Sequence, residues 1–193
     1  CLYLSLEVHD HLIYRRFLQI ANGIKKDKVM DLHSVDLNGE LKEAITPIEH
    51  INIMTTSPEI GSMKQLISEL SPKIVVIDTI DAIRVNYNND PFNKMEVIIN
   101  ELKQLAVQES IIIIGVSHIS KGASFEPRLT VHSGKGNSVI EQKADKVLGI
   151  MGDREAPRRI IRSLKSRDEA RFQISLLFDY ETFRFKETEH VES

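Results

Sequence analysis

An α/β domain is the fold class this sequence predicts: a mainly parallel sheet flanked by helices, with antiparallel β-hairpin strands at the C-terminal edge. Three observations predict it. KIVVIDTID (Lys73–Asp81) and SIIIIGVSH (Ser110–His118) are apolar without alternation, the habit of strands buried on both faces of a parallel sheet. Segments with apolar residues at helical spacing separate the strand-like ones over about 150 residues, which is the pattern of α/β proteins. After that the period becomes two: Phe172, Ile174, Leu176 and Phe178 alternate on one face, as in a half-buried strand.

Taken in order, CLYLSLE (Cys1–Glu7) is short and apolar, a strand ending in a carboxylate. His9–Gly23 places Leu12, Ile13, Phe17, Leu18, Ile20 and Ala21 at helical spacing and closes on a glycine, a usual helix stop. Lys25–Leu41 is charged and mixed, a short helix and loop, and Ile51–Thr55 is a strand. Met63, Leu66, Ile67 and Leu70 mark a helix over Ser62–Leu70, ahead of the strand that opens at Lys73. Ile83–Lys94 is rich in Asn with one Pro, hence a loop. Met95–Gln108 is an amphipathic helix, followed by the Ser110–His118 strand. Lys121–Gly136 holds four Gly or Pro without periodicity and reads as a long loop. Asn137–Ala144 is a short helix, and KVLGIMGD a strand ending near Asp153. Arg158–Lys165, Phe172–Asp179 and Thr182–Lys186 form the antiparallel finish, with Ser166–Arg171 as a hairpin loop. One domain is expected over 1–186, with 187–193 a charged, frayed tail.

The 193 residues suffice for one sizeable core. No apolar run reaches 18 residues, so no spanning helix and no membrane partner are expected. One cysteine, Cys1, forms no internal disulfide, which fits a cytoplasmic setting or its phage or organelle equivalent. A net charge of −3 excludes a general polycation. Yet Lys121–Arg171 carries 12 Lys or Arg against 7 Asp or Glu. A local basic region can serve a polyanion on an acidic chain, or can simply be a solvated face. HDH at His9–His11 lacks a partner cluster at useful spacing and is not read as a metal site.

Asp78 follows four apolar residues, the shape of a Walker B strand whose Asp holds Mg²⁺ through water. By itself this is equally an ordinary buried strand ending in Asp. Ligands of open α/β sheets, however, bind beyond the carboxyl ends of the strands, and three such ends carry chemistry: Glu7, Asp78 and His118. Two carboxylates and an imidazole on one sheet edge suit phosphoryl transfer.

YLSLEV, KIVVIDTID, IIIIGVSHIS, SGKGNSVIEQKADKVLGI and LKSRDEARFQISLLFDYETFRF resemble, in order, motifs of the RecA-like ATPase domain of DnaB-type hexameric replicative helicases, the phage and mitochondrial primase-helicase branch included. The resemblance covers roughly Leu2–Lys186. It implies an ATP- and Mg²⁺-dependent motor, a homo-oligomeric, hexameric ring and single-stranded DNA as partner. It further implies that Glu7 polarises the attacking water, that Asp78 holds Mg²⁺ through water and that His118 senses the γ-phosphate. Lys165 and Arg167 would act as finger residues on a neighbouring subunit's nucleotide. Lys121, Arg128 and Lys135 would contact DNA phosphates, and the Arg84–Lys94 loop is a second DNA candidate.

The chain departs from the pattern in lacking a Walker A motif, G-x-x-x-x-G-K-[ST]. SGKGNS fails because Leu129 stands at the first Gly position and Gly136 at the Ser/Thr position. The simplest expectation is that the motif precedes Cys1 in a longer protein, and the chain as given should then bind ATP poorly. Asp168 and Glu169 also stand where the family often has a turn Gly. Two further readings stay open: another RecA-superfamily ATPase in recombination, repair or defence, and a catalytically silent RecA-like interaction module.

Overall fold

The computed structural model describes residues 1–34, 40–85, 91–118, 137–153 and 155–187. Strands β1 (Leu2–Ser5), β2 (Asn52–Thr55), β3 (Ile74–Asp78) and β4 (Ile112–Val116) form an all-parallel sheet in the order β2-β1-β3-β4. Strands β5 (Lys146–Met151), β6 (Arg158–Ser166), β7 (Gln173–Asp179) and β8 (Arg184–Glu187) form a separate antiparallel sheet in sequence order. The expected hairpins are therefore present, hydrogen-bonded among themselves rather than to β4. Glu187, expected in the frayed tail, is paired with Leu176 on β8.

Register fixes which residues share a face. Leu2 pairs with Val75 and Leu4 with Ile77, and all four are fully buried. They meet Met63 and Ile67 of α4 (Ile60–Leu70) and Ile98, Leu102 and Leu105 of α5 (Pro91–Gln108) in the main core. Each such side chain contributes roughly 1.5–3 kcal/mol relative to exposure. Helix α5 opens four residues before the expected Met95, at Pro91, which suits a helix start because its missing N–H has no intrahelical partner there.

The opposite face of β1 presents Tyr3, whose ring meets Phe17 edge-on at 5.4 Å. Phe17 belongs to α1 (Asp10–Asn22). Leu18 of α1, Val29 of α2 (Lys26–Ser34), Ala44 of α3 (Glu40–Ile45) and Ile48 of a short 3₁₀ turn form a second cluster. The C-terminus of α1 meets the β7–β8 turn. Arg184 donates to the carbonyls of Ile20 and Ala21 at 2.6 and 2.8 Å, and Gln19 Nε2 donates to the Glu181 carbonyl at 2.7 Å. A cation on the last carbonyls of a helix is the favourable end for it. Gly23 closes α1 at φ +64°, and a Cβ there would lie 2.4 Å from Arg184 Nη1.

The second long apolar strand differs from expectation. Ile112, Ile114 and Val116 on β4 are exposed, Ile112 by 61%, so β4 is covered on one face rather than two. It lies at the sheet edge, and no described helix lies over Ile112, Ile114 and Val116. Helix α6 (Asn137–Lys143) precedes β5.

Candidate functional site

Strands β1, β3 and β4 run parallel and in register, with Ser5 opposite Asp78 and Asp78 opposite Val116. Their carboxyl ends therefore form one edge. Asp78 is the last residue of β3. Glu7 lies two residues beyond β1 rather than within it. The chain bends there because the Ser5 hydroxyl bonds the backbone of Val8, and this leaves the Glu7 side chain exposed. His118 lies two residues beyond β4 and is largely exposed.

Each of the three is bonded to a neighbouring strand or its extension. The Tyr3 hydroxyl donates to Asp78 Oδ2 at 2.6 Å. Thr79 Oγ1 donates to Glu7 Oε1 at 2.9 Å, so the residue after Asp78 ties Glu7 to the end of β3. The His118 backbone N–H donates to Asp81 Oδ2 at 2.9 Å, and Nδ1 of its imidazole lies 3.7 Å from the same oxygen, an ion pair when the ring is protonated. Asp81 sits in the 3₁₀ turn Ile80–Ala82, largely buried, and Lys94 of α5 donates to its carbonyl at 3.2 Å. Asp81 Oδ1 and Ser117 Oγ are buried without a hydrogen-bond partner among the described residues.

That turn is seated by a glycine on β4. Gly115 lies opposite Ile77, and a Cβ on it would fall 2.9 Å from Ile80 Cγ2. The turn carrying Thr79 and Asp81 can approach β4 because no side chain intervenes.

Burial pushes the Tyr3 phenol well above its ordinary range. The bond to Asp78 and that carboxylate's charge act in the same sense, and the Arg16 charge opposes them. No salt bridge reaches Glu7 or Asp78 among the described residues. No group of three or more His, Cys, Asp or Glu among them could hold a metal directly; His9 and His11 stack at 5.6 Å, and His11 Nδ1 lies 4.0 Å from Asp10.

The other two expected residues lie together on the antiparallel sheet. Lys165, on β6, donates to the Gln142 carbonyl at 3.3 Å. Arg167, just past β6, donates to Asp145 Oδ1 at 2.8 Å and to the Gln142 carbonyl at 3.5 Å. Asp145 also takes Lys103 of α5. The Lys103 bond leads in holding the Asp145 carboxyl below its ordinary value; partial burial opposes, and the charges of Lys103, Arg167 and Lys165 add to the lowering. Of the expected DNA contacts, Lys121, Arg128 and Lys135 lie outside the described residues, as do 86–90 of the second loop. Arg84, at the edge of that loop, lies 4.0 Å from Glu59.

Sequence reasoning missed Tyr3, Thr79, Asp81 and Asp145. Asp81 had a visible signal as the second carboxylate of the KIVVIDTID stretch, and Asp145 as the carboxylate of SGKGNSVIEQKADKVLGI.

A family model described as an AAA domain matches residues 1–124. Among solved structures, one described as an ATPase domain superimposes with a TM-score of 0.82 at 22% identity, over 97% of this chain and 74% of that one. A DnaB-like replicative helicase, solved for its interactions with primase, gives 0.78 at 22% identity over 97% of this chain; the match spans 50% of the helicase chain. The RadB recombinase gives 0.55 at 14% identity, over 97% and 78%. No curated protein matches the sequence significantly. The fold is thus the RecA-like one seen in helicase ATPase domains, and no described helix is long and apolar enough to cross a membrane.

Proposed function

The chain belongs to the AAA-domain family, and on that premise we propose that it is the greater part of the ATPase motor of a DNA helicase. The motor works as a hexameric ring on single-stranded DNA, in the cytoplasm or its phage or organelle equivalent. The observation that carries the reading is the shared edge of β1, β3 and β4. It holds Glu7 and Asp78 without a cationic partner among the described residues and ties His118 to the same turn through Asp81. The helicase likeness of the fold favours unwinding over the recombination, repair or defence role that the RadB likeness leaves as the second reading.

In this reading Glu7, exposed and held by Thr79, takes a proton or a hydrogen bond from the attacking water. Asp78 fits Mg²⁺ as a single carboxylate acting through water, since that ion keeps several of its waters and needs few carboxylates. Bound Mg²⁺ would neutralise charge developing on the phosphates. His118 reads the γ-phosphate. Lys165 and Arg167 serve the nucleotide of the adjoining subunit, after exchanging Asp145 and the Gln142 carbonyl for it. Lys121, Arg128 and Lys135 contact DNA phosphates, which takes placed cations and no sequence code. The proposal assigns residues 1–186 to an ATPase core. It puts the Walker A cradle before Cys1 in a longer polypeptide; among the described residues no strand pairs with the outer edge of β4, and Ile112, Ile114 and Val116 are exposed there.

The test uses the full-length protein. It should hydrolyse ATP with Mg²⁺, more rapidly with single-stranded DNA, and unwind a forked duplex. Glu7→Gln should abolish turnover while ATP still binds. Hydrolysis without unwinding would favour the recombination or repair reading, and a protein that binds no nucleotide would be the silent interaction module.

A further inference from the structure

We propose that Tyr3 is a positioning residue that sets the orientation of the Asp78 carboxylate, so that its remaining lone pairs face the hydrated cation of a bound nucleotide. The inference rests on the functional reading above and adds a residue to it.

The geometry is specific. Tyr3 is on β1 opposite Val76, so Asp78 lies two residues further along the neighbouring strand on the same face. A tyrosine is long enough to span that diagonal, and its hydroxyl ends 2.6 Å from Oδ2, the length of a charge-assisted bond. The ring is held edge-on against Phe17 at an interplanar angle of 81° and is half-buried. The hydroxyl's position is therefore set by packing on α1 before the carboxylate meets it.

An ionised carboxylate offers about four lone-pair directions and no donor. Tyr3 takes one and fixes the rotation of the group, leaving the others defined in space. Without the hydroxyl, Asp78 can turn toward solvent. The hydroxyl also ties β1 to β3 one step before the strands part toward Glu7 and Thr79. Asp78 orientation and the Thr79–Glu7 bond are thus set on the same two strands.

Tyr3→Phe removes the hydroxyl and keeps the ring on Phe17. In the full-length protein, the affinity of a fluorescent ATP analogue is measured with and without Mg²⁺. The quantity read is the ratio of the two dissociation constants. Tyr3→Phe should shrink that ratio at least threefold, and should raise the Mg²⁺ concentration for half-maximal hydrolysis by a similar factor. A second measurement needs no substitution at Tyr3. In wild-type protein carrying 3-fluorotyrosine, the Tyr3 fluorine resonance, assigned from phenylalanine replacements of the other tyrosines of the full-length protein, should move when Mg²⁺ joins bound nucleotide. A Mg²⁺ ratio equal to that of wild type, or a Tyr3 resonance indifferent to the cation, overturns the role. Wild-type protein that binds no nucleotide overturns the functional reading itself, and this role with it; the two failures are distinct.

Discussion

Two charged edges of the molecule are organised in opposite ways. At the carboxyl edge of the parallel sheet, Glu7 and Asp78 accept from the hydroxyls of Thr79 and Tyr3. Those donors orient the carboxylates, and no salt bridge among the described residues compensates their charge. On the antiparallel sheet, Arg167 faces Asp145, which Lys103 also reaches, and Lys165 lies against the Gln142 carbonyl. There the charge is compensated within the chain. On the proposed reading the first edge receives a cation. The second is stable without a ligand and must exchange partners to touch one. A pocket that acts within its own subunit can be set by uncharged donors. A finger that acts on another subunit, as proposed for Arg167, would have to be held somewhere in the meantime.

The largest effect that tests this contrast comes from the acidic edge. Glu7→Gln in the full-length protein should lower turnover by about 10²–10⁴-fold, the usual worth of a positioned acid–base group, and Asp78→Asn should lower it through the loss of the Mg²⁺ carboxylate, each with little change in thermal midpoint. Steady-state hydrolysis beside a melting curve checks it. Retained turnover would mean that this edge is only polar decoration. Next comes the seat of the turn. Gly115→Ala should destabilise the fold by about 1–3 kcal/mol, the range for forcing an extra methyl into a packed site, because Ile80 must move. It should also lower turnover, since Ile80 lies between the Thr79 that ties Glu7 and the Asp81 that ties His118. Denaturant unfolding gives the first quantity and kinetics the second. A loss of stability with unaltered kinetics would separate the turn from the chemistry.

The elements with strong period were legible before the fold was known. The helix of His9–Gly23, the strand ending in Asp78 and the alternation of Phe172–Phe178 all follow from local pattern. Candidate site residues could be named only where a residue ends an apolar strand, as Asp78 does, or stands in a familiar string, as Glu7, His118, Lys165 and Arg167 do. What holds those residues was not. Tyr3 and Asp78 are separated by 75 positions and meet because of the β1–β3 register, which local periodicity does not encode. Asp145 meets Arg167 for the same kind of reason, across 22 positions and the β5–β6 pairing. The exposure of Ile112, Ile114 and Val116 on β4 was equally invisible, since an apolar run says that a strand prefers cover and not which elements supply it.

The basic edge allows finer tests. Asp145→Asn keeps an acceptor for Arg167 and removes the charge. Arg167 should be released more readily, at a stability loss of at most about 1 kcal/mol for so exposed a pair. In mixtures with Glu7→Gln protein, Arg167→Ala should give partial recovery of hydrolysis if the finger works across subunits, and Asp145→Asn should then act through the same interface. No recovery at any mixing ratio would confine Arg167 to its own chain.

The smallest expected effect is the acid dependence of that clamp. Asp145 has its folded pKa below the ordinary 3.8, so the folded state binds the proton less readily than the unfolded chain does. Its contribution to stability is fully present above about pH 3.8 and is lost as pH falls through the lowered folded value. The unfolding midpoints of wild type and Asp145→Asn should therefore differ by the same small amount at pH 7 and pH 5. The gap should close progressively below pH 3.8. A gap that persisted unchanged at pH 2.5 would mean that the carboxylate charge does not hold Arg167, and that the hairpin stays in place by its strand pairing alone.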